Sequence, residues 1–206
     1  MPVIAVIDYG LGNLRSIAKA LEEVGGNVLV TSDASQIQQA DRVVLPGVGA
    51  FGDGMKNLRE RNLIEILTQE VIQKKKPFLG ICLGMQLIAK TSEEFGTYEG
   101  LGWIDAGVRR FAIDPHLKVP HVGWNAVRFI KEHPMLSGLP KEADFYFVHS
   151  YHLVSVNSDL VIGVCNYGGD FLACIAKDNM FATQFHPEKS QREGLNLLKN
   201  FLTWNP

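Results

Sequence analysis

The sequence is short of several things, and each shortage removes a class of function. Basic charge is not in excess: 20 Lys and Arg stand against 22 Asp and Glu, a formal net charge of -2. The chain therefore lacks the positive field that non-specific nucleic-acid binding needs, and no nucleic-acid partner is expected. Its single basic cluster, Lys74, Lys75 and Lys76, reads as a solvated helix end. No apolar run is long enough to span a membrane, and Met1–Asp8 has neither a basic leader nor a cleavage site, so a cytoplasmic protein without membrane contact is expected. Cysteine is scarce. Cys82, Cys165 and Cys174 are odd in number and never closely spaced, which predicts free thiols rather than a disulfide framework. A metal site is not expected either, because no cysteines sit at ligand spacing and His149 and His152 would face opposite ways on one strand.

What is present is core-forming sequence. An apolar fraction of 46% over 206 residues suffices for one continuous core, and one domain over residues 1–206 is expected. "VIAVID" (3–8) is a β-branched run of the kind buried parallel strands show, and residues 13–24 follow with helical spacing at Leu14, Ile17, Ala18, Leu21 and Val24. "NVLV" (27–30), "RVVLPG" (42–47), a helical stretch from about Gly52 to Lys75, and "PFLGIC" (77–82) entering a helix continue the alternation. This order implies an α/β fold with a parallel sheet and right-handed crossovers. Beyond about Gly100 the runs are short and alternating, with "DFYFVHSYHLVS" (144–155) the longest, and predict an added antiparallel β portion. An amphipathic helix over about Ser190–Leu202 closes the chain.

"GICLG" (80–84) places Cys82 between two glycines at a strand-to-helix junction. Such an elbow presents its side chain at the carboxyl edge of the sheet, and the glycines accommodate its cramped backbone. Free N–H groups at the helix start favour a thiolate there, and the Leu83 N–H is aimed at an oxyanion formed on the attacked atom. Cys165 and Cys174, inside apolar strands, read instead as small buried side chains.

A nucleophilic thiol needs a base. In "ATQFHPEKS" (182–190) His186 ends an apolar strand, Pro187 stops the ladder, and Glu188 lies two residues on, where it can fix the imidazole tautomer. His149 is the rival base, without a carboxylate two residues later. The glycine-rich "LPGVGAFGDG" (45–54) can bring a second backbone donor, near Val48 or Gly49, to the same oxyanion. "DYGLGNLR" (8–15) is not a dinucleotide fingerprint, because Arg15 stands where the third glycine belongs, and no cofactor is expected.

"PGVGAF", "KPFLGICLGMQ" and "QFHPEKS", in this order, resemble the triad-type (class I) glutamine amidotransferases over most of the chain. "DYGLGNLRS" (8–16), "PHVGWN" (120–125) and "YFVHSYH" (146–152) are similar to the branch formed by glutaminase subunits of imidazole glycerol phosphate synthases. The resemblance implies a flavodoxin-like, mostly parallel sheet flanked by helices. It implies catalysis by Cys82, His186 and Glu188, an oxyanion hole at Val48, Gly49 and Leu83, and glutamine binding by Gly49, Gln86, Ser150 and Tyr151. Cys82 would attack the carboxamide, and His186 would protonate the departing ammonia and activate water against the glutamyl thioester.

An amidotransferase domain uses all 206 residues, so the ammonia must be consumed elsewhere. The resemblance implies a heterodimer with a cyclase subunit, a (β/α)8 barrel that makes imidazole glycerol phosphate and aminoimidazole carboxamide ribotide in histidine biosynthesis. Asn13, Trp124, Tyr146 and Lys189 match positions at that interface. Each also has a plainer reading: Asn13 as a helix cap, Trp124 and Tyr146 as core or rim aromatics, Lys189 as a surface pair with Glu188. Three other functions stay open: a subunit serving a different acceptor, a non-catalytic regulator, and an unrelated cysteine hydrolase. A glutaminase subunit of this kind is expected to be slow alone and faster with its loaded partner, with the Val48 loop completed only in the complex.

Overall fold

A computed structural model describes every residue except Pro115 and Val156. Strand β1 (Val3–Ile7) sends Ile4 and Val6 to one core and Ala5 and Ile7 to another, as a strand covered on both faces must. Helix α1 (Leu14–Glu23) buries Ile17, Ala20 and Leu21, and the Asn13 side chain caps it by accepting from the Ser16 N–H at 3.4 Å. After β2 (Asn27–Thr31) comes a helix the sequence pattern does not announce, α2 (Ala34–Gln39). It buries only Ile37, too little for a period, and is fixed by Asp33 accepting from the N–H groups of Ser35 and Gln36.

Strand β3 (Arg42–Leu45) leads to α3 (Phe51–Glu60) and α4 (Leu63–Leu67), which runs into a π-helical turn at Thr68–Gln73. The single helix expected over residues 52–75 is thus broken, because Asn62 takes a left-handed conformation, φ 56°, that asparagine tolerates better than most residues. The lysine run lies just beyond. Lys74 and Lys76 each reach the fully buried Glu70 carboxylate at 2.7 Å, and Lys76 also donates to the carbonyls of Ile37 and Gln38. Two of the three lysines therefore compensate a buried acid, and the run offers no basic patch.

Next come β4 (Phe78–Ile81) and α5 (Leu83–Leu87), then β5 (Thr91–Ser92), β6 (Tyr98–Glu99), β7 (Ala106–Arg110), β8 (His121–Phe129), β9 (Glu142–His149), β10 (Tyr151–Ser155), β11 (Val161–Asn166), β12 (Asp170–Lys177), β13 (Met180–Thr183) and α6 (Gln191–Thr203). Nine strands form one sheet in the order β2-β1-β3-β4-β13-β12-β11-β8-β9. From β2 to β13 neighbours run parallel, and from β13 to β9 antiparallel. A second sheet has the order β10-β7-β5-β6.

The run "DFYFVHSYHLVS" is therefore not one strand. It breaks at Ser150, with β9 in the large sheet and β10 in the small one. One consequence corrects an expectation: His149 and His152 do not point apart, and both rings pack on Phe111, with centroids at 5.1 and 4.5 Å. Helix α6 buries Leu197, Leu198 and Phe201 against the face that holds Ile4 and Val6. Among the described residues, no helix is long and apolar enough to cross a membrane, and no group of three or more His, Cys, Asp or Glu is placed to hold a metal.

Candidate active site

Strands β4 and β13 are parallel neighbours with Ile81 opposite Thr183, so the residues that follow them emerge at the same edge of the sheet. Cys82 follows β4 directly, and its N–H donates to the Thr183 carbonyl at 2.7 Å. Its φ of 53° and ψ of -106° are a strained conformation for a residue with a side chain, held by the helix that starts on its far side. The following glycine is obligatory, since a Cβ on Gly84 would lie 1.8 Å from the Leu45 carbonyl oxygen. Helix α5 thus packs straight onto the end of β3.

His186 follows β13 by three residues, and its backbone is pinned from two sides. The His186 N–H donates to the Tyr146 carbonyl at 2.9 Å. Ser190 Oγ donates to the His186 carbonyl at 2.6 Å and accepts from the Tyr146 N–H at 3.0 Å. Its ring Nδ1 and Glu188 Oε1 are 2.8 Å apart, with both side chains almost wholly buried. Among the described residues Nε2 meets no partner at full hydrogen-bond geometry, and it faces Cys82 or a reactant. Burial opposes the imidazolium, but the negative charges of Cys82 and then Glu188 outweigh it and raise the ring to about 10.

Cys82, Leu83 and Gln86 line a cavity of about 320 Å³ together with Val48, Gly49, Glu94, Val148, His149, Ser150, Tyr151 and Lys189. A larger open groove along Phe129–Lys141 has about 770 Å³ and none of these groups, so chemistry and not volume selects the site. Gln86 Nε2 donates at 3.0 Å both to the Tyr151 carbonyl and to Gln184 Oε1. Gln184 Nε2 in turn donates to Cys82 Sγ at 3.6 Å. Gln184 and Glu94 are not among the site residues expected from the sequence. A polar residue inside the apolar run "FATQF" was the available signal for the first. Nothing local marks the second, a carboxylate on the cavity wall whose Oε2 accepts from the Phe51 N–H at 2.7 Å and caps α3. Burial raises the Glu94 carboxyl against that hydrogen bond.

The rival base is spoken for. His149 Nδ1 sits 2.8 Å from the Tyr151 carbonyl and Nε2 3.1 Å from His121 Nδ1, while burial lowers His149 to about 3. Cys165 and Cys174 are buried in strands, and burial pushes the Cys165 thiol up to about 12 and Cys174 higher still. Both oppose a thiolate. The Leu83 N–H does not point into free space: it donates to the Gly47 carbonyl at 3.4 Å. Val48 and Gly49 line the cavity, Gly49 with a φ of 114° open to glycine.

Three of the four expected interface residues come together. Trp124 on β8 faces Tyr146 on β9, with ring centroids 6.1 Å apart, and Lys189 Nζ lies 5.7 Å from the Tyr146 ring centre. Trp124 is 48% exposed, which sets it on the rim and not in the core. Asn13 is the cap of α1, a helix that packs on the Pro187–Lys189 turn.

The family model described as glutamine amidotransferase class-I matches residues 5–204. The chain is 49% identical to "Imidazole glycerol phosphate synthase subunit HisH 2" of Nitrobacter winogradskyi, covering all of both chains. It is 50% identical to "Imidazole glycerol phosphate synthase subunit HisH" of Acinetobacter baylyi, again over all of both. Among solved structures, PurLQS from Thermotoga maritima superposes with a TM-score of 0.78 at 17% identity over 98% of each chain, a likeness of fold. The chain belongs to the class-I glutamine amidotransferase family.

Proposed function

We propose that this protein is the glutaminase subunit of imidazole glycerol phosphate synthase, acting as one domain over residues 1–206 in the cytoplasm. It hydrolyses glutamine and passes ammonia to a cyclase subunit, a (β/α)8 barrel bound as a heterodimer. Full-length identity of about half to relatives that bear this subunit name supports the choice of partner. The observation that carries the chemistry is the delivery of Cys82 and the His186–Glu188 pair to one sheet edge by neighbouring parallel strands.

In this reading the Cys82 sulfur attacks the carboxamide carbon of glutamine. The tetrahedral intermediate collapses as His186 gives its proton to the leaving nitrogen, releasing ammonia and leaving a glutamyl thioester. His186 then takes a proton from water, which cleaves the thioester to glutamate. Glu188 holds the ring and stabilises its cationic form, and Gln184 fixes the sulfur. Gln86 and the backbone of Ser150 and Tyr151 grip the substrate, and Glu94 suits the substrate ammonium.

The oxyanion hole needs one movement. The Gly47–Val48 peptide turns its carbonyl onto the Leu83 N–H, and the N–H of the same peptide belongs to Val48. Because the two groups of a peptide point opposite ways, turning this one over frees Leu83 and brings the Val48 N–H in as a second donor. Glycine at 47 keeps its share of the turn inexpensive, and Val48 takes the accompanying change in φ. Trp124, Tyr146, Lys189 and Asn13 form the face the cyclase touches, and docking there biases the turn.

The test is glutamate release by the purified chain, alone and with a cyclase subunit holding its nucleotide substrate, with Cys82→Ala as blank. Strong stimulation by the loaded partner, absent in the blank, is expected. Equal release with and without that partner would refute the synthase pairing in favour of an amidotransferase with another acceptor.

A further inference from the structure

The motif "DYGLGN" after β1 has so far supplied only a cap, Asn13, yet its tyrosine carries an unusual burden. Tyr9 is wholly buried, and among the described residues its hydroxyl has no hydrogen-bond partner. Burying such a group unpaired is costly, and phenylalanine would avoid that cost with the same ring. The hydroxyl lies directly beside the oxyanion loop. A Cβ built on Gly47 would sit 2.1 Å from Tyr9 Oη and 2.8 Å from Leu83 Cβ, so position 47 is a glycine because the phenol occupies the space of its side chain. Gly12 presses on the same point, its own built Cβ being 3.4 Å from the Gly47 Cα.

Two buried groups thus have complementary needs. In the resting arrangement the Gly47 carbonyl takes the Leu83 N–H, and no described residue pairs with the Tyr9 hydroxyl. When the Gly47–Val48 peptide turns over, its carbonyl gives up Leu83 and must find another donor in a buried place. We propose that the Tyr9 hydroxyl is that donor: Tyr9 is a positioning residue that latches the turned Gly47 carbonyl and so holds the oxyanion hole open. This rests on the peptide turn proposed above. Burial, and then the charge of Cys82, push the phenol above its ordinary value, so the group remains protonated and able to donate. The unsatisfied hydroxyl raises the energy of the resting arrangement and the latch lowers that of the reactive one, so both bias the loop the same way.

Tyr9→Phe in the complex with the nucleotide-loaded cyclase is the decisive variant. The latch predicts that kcat for glutamine falls about tenfold, the worth of one hydrogen bond. KM stays unchanged, and the thermal midpoint of the free chain, where the hydroxyl is unpaired among the described residues, stays level or rises. An unchanged kcat overturns the proposal, as does a kcat that falls together with the thermal midpoint, which would mean packing alone. A crystal structure of the Cys82→Ala complex with glutamine separates this proposal from the reading beneath it. A turned peptide with Tyr9 Oη on the Gly47 carbonyl supports the latch, and a turned peptide with Tyr9 still unpaired overturns the latch only. An unturned peptide overturns the oxyanion reading itself.

Discussion

The two sides of Cys82 differ in how far they are set for reaction. On one side His186 and Glu188 are 2.8 Å apart, buried, with the histidine backbone tied to Tyr146 and Ser190. On the other, the Leu83 N–H is taken by the Gly47 carbonyl and the Tyr9 hydroxyl behind it has no partner among the described residues. The side built from strand ends is finished, and the side built from a glycine loop is not. On the proposed reading the labour is divided: adjacent parallel strands set a nucleophile and its base, while a loop that glycine leaves free to turn holds the stabilising donors back until a partner is present.

Breaking the finished side costs most. Cys82→Ala or His186→Ala should lower glutamine hydrolysis in the loaded complex by a factor on the order of 10⁴ or more, read as glutamate release. Glu188→Gln keeps the shape and removes the charge, and should cost on the order of 10³. The same variant sharpens the electrostatics. The folded His186 is raised from 6.5 to about 10. The stability its charged form contributes is therefore complete below about pH 6.5 and declines as pH rises through about 10. Removing the Glu188 charge should bring the alkaline limit of kcat/KM to lower pH, and an unmoved limit would show that Glu188 does not set the ring's charge.

Away from both sides, Glu70→Ala strips the partner from Lys74 and Lys76 at a buried site. It should cost about 2 kcal/mol of stability in denaturant unfolding, because Lys74 is partly exposed and Lys76 keeps the Ile37 and Gln38 carbonyls, while the rate per folded molecule holds. Smallest is the behaviour of the neighbouring histidines. Burial lowers His121 to about 4 and His149 to about 3, so both stay neutral as pH falls to 5. Their ring NMR signals should not titrate between pH 7.5 and 5, and a titration there would contradict the closed pair they form.

The finished side is also the side that could be read from the sequence. Cys82 between Gly80 and Gly84, and His186 with Glu188 two residues on, are local patterns whose geometry follows from a strand end and its turn. The parallel strands were legible for the same reason, as continuous β-branched runs. What was not legible depends on choices that local pattern leaves open. Alternation over "DFYFVHSYHLVS" is the same whether one strand or two are built, so the break at Ser150 and the convergence of His149 and His152 on Phe111 stayed hidden. Asn62 could continue a helix or end it. At Gly47 either direction of the peptide is allowed, so the way the loop's N–H and carbonyl groups face is not legible in the residues.

The central claim, that the nucleophile is ready while the oxyanion donors wait, is tested most directly by comparing two reactions of one thiol. Iodoacetamide consumes Cys82 without an oxyanion hole, whereas glutamine hydrolysis needs one; Cys82→Ala serves as blank for the two buried cysteines. The account predicts that the loaded cyclase raises glutamine hydrolysis many-fold and leaves the alkylation rate of Cys82 nearly unchanged. If both rates rise together, the partner switches the nucleophile itself and the account is wrong.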